Sequence, residues 1–139
     1  MKNFIRLNFI SFIYAILIML PFELAINTLR ISRLTSLALD TVSILSVSTV
    51  ILGFLIGSIG IIFIARKWAE TPKWFHVSVV LWIPYFILLV FIVASLFPAT
   101  NLQDIPSAGT GFIAFGMLVV FPVYIIFINH LATFTAQSK

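Results

Sequence analysis

Residues 41–64 read TVSILSVSTVILGFLIGSIGIIFI, and no charged side chain interrupts them. A bilayer core of roughly 30 Å needs about 20 apolar residues in a helix, so this stretch is long enough to cross once. Three further runs of similar length flank it, at about 7–29, 74–97 and 111–134. Each is apolar on every side, without the polar–apolar alternation of a barrel strand. Backbone groups in lipid must be satisfied within the segment, which makes the runs helices. The expected fold is therefore all-α: one transmembrane domain over residues 1–139, built as a four-helix bundle.

Composition agrees. Of 139 residues, 62% are hydrophobic and 9% charged. The connections and tails are too short to hold a second core. The chain starts like a secretory signal, with Lys2 and Arg6 before an apolar run. No small-residue cleavage site follows, and Pro21-Phe22-Glu23-Leu24 continues the sequence, so the run reads as an uncleaved first helix. The absence of cysteine excludes disulfides and thiolate chemistry. A net charge of +4 does not point to nucleic acid, because the eight basic residues sit at helix ends, where topology demands them.

Those basic residues orient the bundle. With four crossings, Lys2, Arg6, Arg66, Lys67, Lys73 and Lys139 share one side, against Arg30 and Arg33 on the other. The positive-inside rule then places both termini in the cytoplasm, in the cytoplasmic (inner) membrane. The loop around Arg66, Lys67, Trp68, Lys73 and Trp74 supplies basic and aromatic anchors facing lipid headgroups. In the first outer loop, Ile31, Leu34 and Leu37 recur every third residue, which predicts a short interfacial helix. Asp40 is placed to cap the second span. Residues 98–110 read as a polar, mobile loop.

Within the second span, Ser46, Thr49, Gly53, Gly57 and Gly60 fall at spacings of 3, 4, 4 and 3, one helical face lined with small residues. Such faces let membrane helices approach closely. Packing inside the monomer is the expected use, with contact between chains as the alternative. Pro21, Pro84 and Pro122 each remove a helical hydrogen bond, and Tyr85 and Tyr124 follow two of them.

Three groups are candidates for chemistry. Glu23 is the one acid well inside an apolar run, and an ionisable group there is a functional candidate by default. Asn27 and Arg30 follow on the same face, so a ladder from Glu23 through Asn27 to Arg30 is expected, serving structure or a proton or cation site. His76 opens the third span and His130 closes the fourth, at matching depth for one haem or one metal ion. Histidine near helix ends also serves simply to meet carbonyls and headgroups, as would Asn129 beside it. No nucleophile triad, paired carboxylates or phosphate loop appears.

The first functional expectation is a non-enzymatic subunit or accessory protein of a membrane complex, acting through helix packing. Its partners would be lipids and another membrane protein, or a second copy of itself. The second is a small homo-oligomeric transporter or channel using Glu23. The third is a haem-binding electron-transfer subunit using His76 and His130.

Overall fold

The computed structural model describes residues 2–67, 77–98 and 100–137, and it is all-helical, with no strand among the described residues. Five α-helices follow in order: α1 (Lys2–Ile26), α2 (Thr28–Thr35), α3 (Leu39–Lys67), α4 (Ser78–Leu96) and α5 (Ala108–Gln137). A 3-10 turn, Leu102–Asp104, lies between α4 and α5. Among the described residues, four helices are long and apolar enough to cross a membrane: Lys2–Ile26, Leu39–Lys67, Ser78–Leu96 and Ala108–Phe134. The chain is a multi-pass integral membrane protein.

Helix ends depart from the sequence expectation in instructive ways. The first span stops at Ile26 rather than Leu29 because Asn27 breaks the helix (φ −102°, ψ 8°). Its side-chain amide donates to the Glu23 carbonyl at 3.0 Å, the same acceptor its own backbone N–H uses. Thr28 adds a hydroxyl bond to the Leu24 carbonyl at 2.7 Å. Short polar side chains that bond back onto the helix compete with its ladder and bend it. The chain then continues as α2 until Ser36, whose φ of 56° is the left-handed stop. Asp40 lies inside the first turn of α3, not ahead of it. A carboxylate there still suits the positive end of the helix dipole.

α1 is the centre of the bundle. It packs against α3, α4 and α5, while α3 and α4, consecutive in sequence, do not touch among the described residues. Of its apolar stretch, 39% is buried, against 6% for α3 and 11% for α4. Its largest contact is with α4, which runs parallel to it. α5 lies antiparallel to α1 and closes the other diagonal.

The middle of the bundle is filled with rings. Trp82 of α4 meets Phe121 of α5 edge-on at 5.0 Å between centroids. Phe121 stacks on Tyr124 at 5.4 Å, and Tyr124 meets Phe54 of α3 at 5.1 Å. Tyr14 of α1 packs edge-on against both Phe121 and Tyr124. Lipid supplies no hydrophobic drive between helices, so association rests on such close packing and on hydrogen bonds.

Candidate functional site

The two ends of the bundle carry different chemistry. Toward the end that holds both termini, inside the exposed basic residues of the helix ends, several buried polar groups are neutral and paired between helices, while the buried Ser11 hydroxyl has no hydrogen-bond partner among the described residues. The Tyr14 hydroxyl donates to Asn129 Oδ1 at 2.9 Å, and Asn129 Nδ2 donates to Ser78 Oγ at 3.0 Å. All three side chains are buried, so one network ties α1, α5 and α4 together. Nearby, the Tyr85 hydroxyl donates to Asn8 Oδ1. Closer to mid-span, Ser58 and Tyr124 join α3 to α5 through a 2.7 Å hydroxyl pair.

This changes the reading of several residues. Asn129 serves as the hub of a buried network, not as a carbonyl cap at a helix end. The hydroxyls that follow Pro84 and Pro122 are spent on neighbouring helices. Sequence alone held a signal for this: Asn8, Tyr14 and Asn129 are polar residues in the terminal halves of otherwise apolar spans.

At the opposite end, beside α2, the groups are charged. Arg33 grips Asp104 with two bonds, Nε to Oδ1 at 2.9 Å and Nη2 to Oδ2 at 2.6 Å. Such a bidentate fork is the strongest geometry for this pair. The carboxylate is covered, at 3% exposure, while the guanidinium stays partly open at 39%. Asn101 caps the 3-10 turn by accepting from the Gln103 N–H at 3.0 Å, which presents Asp104 to Arg33. The Arg33 hydrogen bonds hold the Asp104 carboxyl below its ordinary range, and the same pairing raises Arg33. Residues 101–104 are therefore fastened to α2, in contrast to the mobile loop expected from composition.

The ladder forms only in its lower half. Asn27 Nδ2 donates to Glu23 Oε2 at 2.9 Å. Arg30 turns away from it and donates through Nη1 to the Phe97 carbonyl at 2.7 Å. Phe97 is the C-cap of α4, where helix carbonyls lack partners and the dipole is negative. That acceptor outcompetes the neutral Asn27. Between α1, α2 and α4 lies a groove of about 390 Å³, with Glu23, Asn27 and Arg30 among its lining residues.

The small-residue face of α3 is divided. A Cβ on Gly57 would stand 2.6 Å from Leu17 Cδ1, and one on Gly53 would stand 3.1 Å from Leu20 Cδ2. Both glycines lie against α1 of the same chain. Gly60 has open space where its side chain would be. Ser46 lines a shallow apolar cleft with Pro21 and Met117, and exposed Thr49 returns its hydroxyl to the Leu45 carbonyl.

Of the histidines, His130 is exposed near the end of α5, and His76 lies outside the described residues. The haem expectation gains nothing further from the structure. Among the described residues, no three His, Asp or Glu side chains converge. Of the basic anchors, Arg66 and Lys67 form the exposed last turn of α3, with Lys67 Nζ 4.5 Å above the Phe63 ring. Trp68, Lys73 and Trp74 lie outside the described residues.

The fold and its chemistry define an integral membrane bundle with a buried neutral network toward one end and paired charges at the rim of the other. Comparison with protein-family models, characterised proteins and solved structures gives no match.

Proposed function

We propose that the protein is a non-enzymatic subunit or accessory protein of a membrane complex and works through its lateral surface. One observation carries this reading: α1 and a layer of aromatic rings occupy the centre of the bundle. Within the bundle, Tyr14, Asn129 and Ser78, and Ser58 with Tyr124, bond one helix to another. A chain with a solid centre acts on other molecules through its outside. Both termini face the cytoplasm in this reading, supported by the six-to-two split of basic residues. α2 then lies at the outer interface, and Arg66 and Lys67 meet anionic headgroups on the inner side.

The test is extraction in native lipid followed by the intact mass of the assembly. A second polypeptide in stoichiometric amount is the expected result. A monomer, or copies of this chain alone, would contradict it.

A second reading draws on Glu23, which borders a groove instead of facing lipid alone. In a homo-oligomeric transporter, Glu23→Gln would abolish flux in reconstituted vesicles. Unaltered flux would remove Glu23 from any such path.

A further inference from the structure

The groove beside α2 has an uneven charge account. Arg30 and Glu23 both line it. Arg30 donates to the Phe97 carbonyl at the negative end of the α4 dipole, and its charge also lies within reach of the Asp104 carboxylate, away from Glu23. Glu23 is held by one neutral amide, and its second oxygen has no hydrogen-bond partner among the described residues. The ion pair at this end belongs to Arg33 and Asp104, not to Glu23. What faces the groove is thus a carboxylate with spare acceptor capacity above an apolar wall of Val90, Val93 and Ala94. A carboxylate in such a place favours a positive partner.

We infer that this groove binds a small organic cation with an apolar body, its ammonium on Glu23 and its hydrocarbon along Val90, Val93 and Ala94. A primary ammonium supplies donors to the unpartnered oxygen, a charge-assisted bond stronger than a neutral one. The apolar body would replace the wall's contact with lipid or water. The volume of about 390 Å³ lies at the small end of the range for small-molecule sites. A phospholipid headgroup fits less well. Its phosphate lies nearer the hydrocarbon than its ammonium, whereas here the acid belongs to the membrane-spanning α1 and the guanidinium to α2, beyond the break at Asn27. The inference does not rest on the subunit reading, since an accessory protein and a transporter alike can hold such a ligand.

The experiment is equilibrium binding of phenylbutylammonium to the full chain in phosphatidylcholine nanodiscs, with empty nanodiscs subtracted. Phenylbutanol serves as the neutral isostere. Saturable binding of the amine is expected, with no saturable binding of the alcohol. Glu23→Gln keeps the acceptor for Asn27 and removes the charge, so it should weaken binding about tenfold or more. Ala94→Phe fills the groove and should abolish binding while helical content is retained. Equal binding by Glu23→Gln, equal binding of the alcohol, or retention by Ala94→Phe would each overturn the assignment. Displacement of the amine by ethanolamine phospholipid alone would overturn the choice of a soluble cation in favour of a lipid.

Discussion

The two ends of this bundle solve the same problem with opposite materials. At the end holding the termini, α1, α4 and α5 are joined by Tyr14, Asn129 and Ser78, all neutral and all buried. At the α2 end, the joints are charged and sit at the rim: Arg33 on Asp104, and Arg30 on the α4 carboxyl terminus. The contrast follows from the cost of burial. A hydroxyl or amide is cheap to enclose once its partners are in place, whereas a charge needs both a partner and access to water. The neutral joint can therefore be deep and close the core. The charged joint stays at the edge and leaves a groove beside it.

The largest expected effect sharpens the account of the core. Gly57→Ile would force a branched side chain into the space of buried Leu17 and push α1 from α3. A loss of about 3 kcal/mol is expected, the upper range for overpacking, measured by unfolding in bicelles. Gly53 is softer, because its neighbour Leu20 is 37% exposed and has room to turn aside. Equal costs for Gly53→Ala and Gly57→Ala would break this distinction.

Next comes Asn129→Leu, which removes the partners of the Tyr14 hydroxyl and of Ser78 together. A cost of about 2 kcal/mol is expected in the same assay. A cost within error of zero would show that the neutral network contributes no net stability.

Breaking the rim should act locally. Arg33→Gln should free residues 101–104 and speed their amide exchange while the thermal midpoint of the bundle holds. The pH behaviour has a defined sign. Since pairing lowers the folded-state pKa of Asp104, its stabilising effect is complete above the unfolded value of about 4. It is lost as pH falls through the lower folded value. Protection of the amides at 101–104, taken relative to the intrinsic exchange rate at each pH, should thus hold at pH 5 and fall only below about pH 4. Release at pH 5 would contradict the ion pair.

The smallest effect belongs to Gly60→Ala. Nothing lies within 4 Å of the added methyl, so the monomer should change by less than about 1 kcal/mol, toward greater stability. A clear destabilisation would reveal an intrachain neighbour at Gly60.

The helices were legible in the sequence because the uninterrupted apolar runs dictate them. Their neighbours were not. Helical order along the chain does not say that α1 lies beside α4 while α3 and α4 stay apart. The four spans are similarly apolar, so periodicity marks no facing side. The Glu23–Asn27 contact was readable from one-turn spacing, a local rule. Arg30 departed from that pattern because its partner, the Phe97 carbonyl, is a backbone atom far away in sequence. The Arg33–Asp104 clasp was hidden for the same reason, although these are an arginine and an aspartate in the two loops that share one end.

The central claim is that α1 fills the middle of a single chain and that the glycine face of α3 is used inside it. The native sequence has no cysteine, so a double substitution, L17C with G57C, leaves one possible pair within a chain. Oxidation in native membranes should give a cross-linked monomer that runs as one chain and forms at high yield. A disulfide-linked dimer as the main product would place that face between chains and contradict the account.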